Sequence, residues 1–344
     1  MKWDFAIGNP AYNQSFGSSG ENATFAAPVY NDFIDAACEI ADRVEMIHPA
    51  RFLFNAGRTP QAWNDKMLSD PHFKILCYEE DASKMFSNTI IKGGIAISYH
   101  DNTQLFGAIE VFTKFPELNS IMKKASPSSI DESLMSIIYL QNKFDLSALY
   151  ADYPEYLTVI GSDGKDKRFR NNIFDKVSLF SNGSINSDDI TVIGVVKNKR
   201  QWRYFPRKYI DCSHENLYLW KVLVPRVNGE GHLDDVLSNP FVCGPECAYT
   251  QTFIGIGAFL NREEAENALK YVKTKFARTM LHILKVTQDN NRETWRYVPL
   301  QNFSAASDIN WTTSIANIDK QLYKKYGLSQ EEIDFIESHV KEME

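Results

Sequence analysis

Apolar residues recur along the chain in two rhythms. Residues 3–8 (WDFAIG) are a short apolar run that ends at a turn, the pattern of a buried strand. From Val29 to Arg43 the spacing is helical, with Val29, Phe33, Ala36, Ala37 and Ile40 on one face. Val44–Pro49 (VEMIHP), Phe73–Tyr78 (FKILCY) and Gly94–Tyr99 (GIAISY) return to strand-like runs. Strands alternating with helices predict an α/β layer on a parallel sheet. Phe106–Phe112 (FGAIEVF) reads as one more strand or as the exit from this layer.

The rhythm changes after about residue 125, where the Ser/Pro-rich stretch Lys123–Ser133 reads as a linker. Beyond it come short strand candidates separated by turns: YLTVIG, DITVIGVV, LYLWKVLVP and TFIGIGAF. Then one long helix is expected over residues 262–285. Asn261 caps it, Glu264 follows three residues on, and Ala265, Leu269, Val272, Phe276, Met280 and Ile283 form a stripe. Lys270, Lys275, Arg278 and Lys285 lie opposite that stripe and are expected to form a basic face, a weak candidate surface for an anionic partner. The division expected is residues 1–125 and 126–344.

Length and composition set wide bounds. A chain of 344 residues with 44% hydrophobic and 24% charged residues fits a globular protein of two domains. No apolar run approaches the roughly 18 residues that a membrane span needs. The N-terminus shows no signal-peptide pattern and the five cysteines are an odd number, so the expected location is cytoplasmic, with no membrane partner. The net charge of −7 is unevenly spread. Residues 328–344 carry six acids against Lys341, which leaves the rest of the chain near neutral. Between Lys197 and Arg226 eight basic residues face only Asp211 and Glu215, interleaved with Trp202, Tyr204, Phe205 and Tyr209. This is the pattern of a nucleic-acid surface. Its candidates for phosphate and base contact are Lys197, Lys199, Arg200, Arg203, Arg207 and Lys208.

The sharpest chemistry lies at the first strand end. Asn9-Pro10-Ala11-Tyr12 follows WDFAIG directly, and ligands of open α/β sheets bind beyond the carboxyl ends of strands. The Asn9 side-chain oxygen and the Pro10 carbonyl are both acceptors that suit an exocyclic amine. Tyr12 offers a ring on which a base taken out of the duplex can stack.

The segment DFAIGNPAYN resembles motif IV of the amino-methyltransferases that act on adenine N6 in DNA, enzymes of bacterial restriction–modification systems that are often fused as type IIG proteins. The usual form is Asn-Pro-Pro-Tyr, and Ala11 replaces the second proline. VEMIHPARFLFNAG resembles the family's next strand and loop, and HFKILCYEEDASKMFSNTIIKGGIAISYHD its later strands with the Phe86-Ser87-Asn88 loop. TFIGIGAFLNREEAENALKYVKTKFARTMLHILKVTQ and LYKKYGLSQEEIDFIESHVKEME resemble its C-terminal target-recognition part. The resemblance implies a partial Rossmann-like methyltransferase sheet, residues 1–125, followed by an α+β target-recognition domain, residues 126–344. It also implies S-adenosylmethionine as methyl donor, double-stranded DNA as partner, and Asn9, Pro10 and Tyr12 as catalytic residues.

The family's cofactor site needs a Gly-rich turn after a strand and an acidic ribose contact, which usually precede motif IV. The sequence is therefore expected to lack the N-terminal cofactor-binding half and to rely on a partner or a further N-terminal part. Phe253–Phe259 (FIGIGAF) offers a superficial Gly-x-Gly, but its glycines read as relief of crowding in a strand. Cys212, His214, Cys243 and Cys247 do not have a diagnostic zinc spacing, and no metal is expected. The competing reading is a DNA-binding specificity subunit without catalysis.

Overall fold

The computed structural model describes residues 2–15, 26–54, 57–86, 91, 93–113, 115–162, 166–229, 233–285 and 288–343. Contacts divide the chain into two units, residues 1–115 and 116–344. Ser87 and Asn88 of the family-like loop, and Asn55 and Ala56 before it, lie outside the described residues.

In the first unit the elements are β1 (Trp3–Gly8), β2 (Asn13–Ser15), β3 (Ala26–Pro28), α1 (Tyr30–Ile40), β4 (Ala41–Pro49), α2 (Gln61–Ser69), β5 (Phe73–Glu79) and β6 (Ile95–Asp101). Four strands form a sheet in the order β1-β4-β6-β5. β1 runs parallel to β4, and β6 runs antiparallel to both β4 and β5. β4 and β5 therefore point the same way, as a crossover through α2 requires. The departure from the expected parallel sheet is β6, which turns back between them. Gly94 opens this return at φ +78°, where an added Cβ would lie 2.5 Å from the Glu79 carbonyl oxygen.

α1 buries Tyr30, Ile34 and Ala37, while Phe33, Ala36 and Ile40 face outward. Its core stripe is thus rotated by about one position from the face expected. Tyr30, Ile34, Ala37 and Ala41 are set four, three and four residues apart and meet Val44, Met46, Phe52 and Trp63 in one core. Residues 106–112 form no strand; Gly107 and Glu110 have positive φ, and Ile109 and Phe112 tuck against that core. On the other face of the sheet the first strand is largely exposed. Trp3, Phe5 and Ile7 alternate along β1 and are 72%, 41% and 75% exposed.

The second unit holds α3 (Pro116–Ala125), β7 (Ile138–Tyr139), α4 (Leu146–Asp152), α5 (Tyr156–Ile160), α6 (Ile173–Lys176), β8 (Asp189–Val196), β9 (Lys199–Pro206), β10 (Trp220–Pro225), β11 (Phe241–Cys243), β12 (Cys247–Tyr249), β13 (Phe253–Phe259), α7 (Arg262–Lys273), α8 (Lys275–His282), α9 (Ile315–Lys325) and α10 (Gln330–His339). Two sheets are present, β11-β10-β13-β7 and β12-β8-β9. α3 belongs here: Lys124 Nζ donates to Glu332 of α10 at 2.7 Å.

Three sequence expectations change in this unit. The segment YLTVIG is a helix, α5, because Tyr156 and Ile160 are buried four residues apart while Leu157 and Val159 are exposed; Gly161 ends it at φ +97°. The single helix expected over 262–285 is two. Thr274 is extended at the break, and its hydroxyl caps α8 by accepting from Ala277 N. Asn261 caps α7 through Glu264 N, as its position suggested. The basic face expected of this helix is not a surface. Arg278 and Lys285 are buried, and Lys270 and Lys275 bond to the Trp311 carbonyl and to Glu337. Among the described residues no helix is long and apolar enough to cross a membrane.

Candidate active site and nucleic-acid interface

β1 and β4 pair in register from Trp3↔Ala41 to Gly8↔Met46, so their carboxyl ends open on the same edge of the sheet. At Gly8 an added Cβ would lie 2.9 Å from the Met46 sulfur, and the missing side chain lets the two strands close there. Asn9, Pro10, Ala11 and Tyr12 come next. Val29 N, at the start of α1, donates to the Tyr12 carbonyl at 3.1 Å, and β2 then pairs with β3 from Asn13↔Pro28. The motif is therefore held at both ends, by the parallel pair before it and by the α1 entry after it.

Asn9 is exposed, and its amide has no hydrogen-bond partner among the described residues. Pro10 and Tyr12 are half-buried. The Tyr12 hydroxyl is itself buried without a partner among the described residues, and desolvation raises its pKa. The arrangement offers an open amide and a ring that is partly anchored.

Two residues at this end of the sheet were passed over in the sequence. His48, near the end of β4, is fully buried and stacks on Tyr30 with ring centroids 5.7 Å apart and planes 6° from parallel. The Pro49 carbonyl can only accept, so Nδ1 carries the proton at 3.2 Å. Nε2 accepts from the Ser98 hydroxyl at 2.8 Å. Burial pushes the imidazole pKa down to about 4. Arg51 lies in the 3-10 turn Ala50–Phe54 that follows β4. Its stem fills the space beside Gly57 and Gly93, where a Cβ would meet it at 3.3 and 2.6 Å. Both glycines have positive φ, and those two glycines were the available signal.

The Gly-x-Gly of β13 offers no cradle for a cofactor. A Cβ at Gly255 would lie 2.4 Å from the Tyr249 hydroxyl, and one at Gly257 would lie 2.1 Å from the Phe259 ring. Neighbouring side chains fill both spaces. The thiols of Cys243 and Cys247 lie together and are buried, but Cys212 is exposed and bonds to the Ile210 carbonyl and His214 bonds to the Leu140 carbonyl, and among the described residues no three such groups come together.

The basic candidates lie on or just beyond one hairpin. β8 and β9 pair from Asp189↔Pro206 to Val196↔Lys199, which leaves Lys197-Asn198 as a two-residue turn. Side chains of β9 alternate between two cores. Arg200 and Trp202 face Phe241 of β11, with the Arg200 guanidinium 4.5 Å from its ring centroid. Arg200 also donates to the Asn239 carbonyl. On the other face Arg203 lies over Phe174 at 5.5 Å and donates to Gln201. Arg207 is ion-paired with Glu246, and Lys208 with Asp152. Four of the six candidates are thus bonded within the protein. Lys197 and Lys199 are exposed, and their side chains bond to no described residue.

Residues 1–86 are similar to the Eco57I restriction-modification methylase family, a stretch that takes in Asn9–Tyr12, β4 and β5. An uncharacterized adenine-specific methylase of Mycoplasma pneumoniae is 31% identical over 134 residues, 39% of this chain and 30% of that protein. The chain spans less than a third of the length of this curated relative. Among solved structures, the type IIG restriction endonuclease BpuSI aligns with 91% of this chain and 48% of its own, at 11% identity and a TM-score of 0.34. The type IIL restriction-modification enzyme MmeI in complex with DNA aligns with 98% of this chain and 56% of its own, at 10% identity and a TM-score of 0.40.

Proposed function

We propose that this chain supplies the catalytic motif and the DNA-recognition part of a site-specific DNA adenine-N6 methyltransferase of a restriction–modification system. The observation that carries the reading is the placement of Asn9-Pro10-Ala11-Tyr12, at the carboxyl end of β1, beside its parallel partner, within the stretch that matches the methylase family. Asn9 Oδ1 and the Pro10 carbonyl accept hydrogen bonds from the adenine amine and orient its lone pair outward. Tyr12 stacks on the extruded base and offsets part of the few kcal/mol that flipping costs. The amine needs no general base if its proton leaves after the new bond forms. DNA contacts come from the second unit, residues 116–344 in the contact division and 126–344 in the sequence reading.

S-Adenosylmethionine is the donor that the family implies. Among the described residues no Gly-rich turn with an open cradle fits it, and the β13 glycines are filled. The exposed apolar residues of β1 are where we place a cofactor-binding layer. A parallel pair is ordinarily covered on both faces, and an uncovered apolar edge strand invites association. An α/β layer that carries a cofactor turn, from a partner chain or from further N-terminal sequence, would cover Trp3, Phe5 and Ile7. The second reading, a specificity subunit without catalysis, is favoured by those same filled glycines.

The two readings part in the native setting of the chain. Sequencing of genomic DNA for N6-methyladenine should show a modified site that Asn9→Ala abolishes and Tyr12→Ala strongly reduces. Full modification in the Asn9→Ala strain would refute the catalytic reading and leave the specificity subunit.

A further inference from the structure

The β8–β9 hairpin ends in a turn that natural sequences usually build from Asn and Gly. Lys197 and Asn198 both sit in the left-handed region, at φ +48° and +59°, as a type I′ turn requires. Asn tolerates that conformation, but Lys is strained there by about 1 kcal/mol or more. Glycine would be the relaxed choice there, so the turn keeps a positive charge at its exposed tip in spite of the strain.

The rest of the hairpin is built to hold that tip still. Arg200 and Trp202 pack on Phe241 from one side, and Arg203 and Phe174 meet on the other. Gly194 lacks the side chain that would strike Phe174 at 2.9 Å. Thr252 accepts from Val195 N at 3.2 Å and anchors β8 near the tip. From Thr191 to Lys208 the sequence has no acidic residue. β12 pairs with β8 only from Thr191 to Ile193, so from Gly194 to the turn the hairpin continues as a two-stranded ribbon with a cationic end, and the DNA major groove admits such a ribbon.

Resting on the reading of the second unit as the DNA-recognition part, we propose that the Lys197-Asn198-Lys199 turn enters the major groove. There Asn198 reads a base edge, while the two lysines contact flanking phosphates. An Asn amide presents one donor and one acceptor side by side, the pair that matches N6 and N7 of adenine. Arg200 and Arg203 brace the ribbon and stay off the DNA.

The test uses the full chain, a randomised duplex pool with sequencing of the bound fraction, and anisotropy titrations across salt. Asn198→Ala should relax the preference at one position by about 5- to 100-fold and leave the salt slope alone. Lys197→Gly, which also relieves the turn, combined with Lys199→Ala should flatten the slope of log affinity against log salt by about two units and keep the preference. Binding by the wild type, with preference and slope both unchanged in these variants, would overturn the assignment. No binding by the wild type to any duplex would overturn the DNA-recognition reading beneath it, and the assignment with it.

Discussion

Replacing Tyr12 by Phe separates what the ring does from what the hydroxyl does. The change removes one oxygen from a site where that oxygen is buried and has no partner among the described residues. A buried hydroxyl left unsatisfied costs about 1–3 kcal/mol relative to hydration. Its removal should therefore stabilise the first unit, by about 1 kcal/mol after the loss of ordinary contacts. For a unit of this size that corresponds to a rise in Tm of about 4 °C. The ring remains, so stacking on a base remains. Tyr12→Ala, in contrast, should lose about 1–3 kcal/mol of stacking per base. Urea unfolding followed by tryptophan fluorescence reads the first effect, with Trp3 and Trp63 as reporters in this unit. The fraction of N6-methyladenine at the native site reads the second. Tyr12→Phe should be at least as stable as wild type and fully able to modify DNA. A loss of 1 kcal/mol or more in Tyr12→Phe would mean that the hydroxyl is bonded, and the site as described would be wrong. Loss of modification equal to that of Tyr12→Ala would move the function from the ring to the hydroxyl.

His48 should titrate near pH 4 in the folded chain, against about 6.5 unfolded. Above 6.5 both states are neutral; as the pH falls from 6.5 to 4 only the unfolded chain gains the proton, so stability drops through that window by up to about 3 kcal/mol. The His48 ring resonances in NMR should stay those of the neutral form at pH 5.5, and protonation there would refute the burial argument. Arg200→Ala should cost about 1–3 kcal/mol in unfolding, from the lost stacking on Phe241 and the lost bond to Asn239. It should leave the salt slope of DNA binding unchanged, and a flatter slope in a stably folded variant would return Arg200 to the interface. Calorimetry with S-adenosylmethionine and the chain alone should show no micromolar binding, because the β13 glycines are filled; such binding would mean that another part of the chain holds the cofactor.

Strand periodicity located the pieces of the first sheet but not their direction. VEMIHP, FKILCY and GIAISY are all strands, yet direction depends on what joins them. β6 runs antiparallel to its neighbours, and Gly94 enters it at φ +78°, a backbone feature that apolar spacing does not encode. Helix faces failed for a related reason. A strip containing Phe33 and Ile40 is as apolar as one containing Tyr30 and Ile34, and the choice is made by the strand that α1 packs on. In YLTVIG, β-branched composition suggested a strand, and the burial of Tyr156 and Ile160 four residues apart made a helix. The motif at Asn9 was readable because it is contiguous: strand, turn and aromatic ring lie within ten residues. His48 and Arg51 were not, since their setting comes from Tyr30, Ser98, Gly57 and Gly93.

The basic stretch shows why charge in a sequence differs from charge at a surface. Eight basic residues between positions 197 and 226 suggest a broad cationic face. Folding neutralises or occupies much of it. Arg207 meets Glu246, Lys208 meets Asp152 and Arg226 meets Asp289, three acids that lie outside the stretch and are invisible in its local count. Lys221 is wholly buried, with its ammonium bonded to the carbonyls of Asn216, Leu219 and Gly244. Arg200 and Arg203 use their planar faces on Phe241 and Phe174, a role that lysine could not fill as well. Charge without an internal partner among the described residues is concentrated at Lys197 and Lys199, on the strained tip of a braced hairpin. A chain of net charge −7 can still present a local cationic tip to an anionic polymer, because from Thr191 to Lys208 the sequence carries no acid. The consequence is quantitative. A broad face of six contacts would give a salt slope near −5, whereas two lysines give about −2. Measured on the wild-type chain before any substitution is made, that slope alone distinguishes a cationic face from a cationic tip.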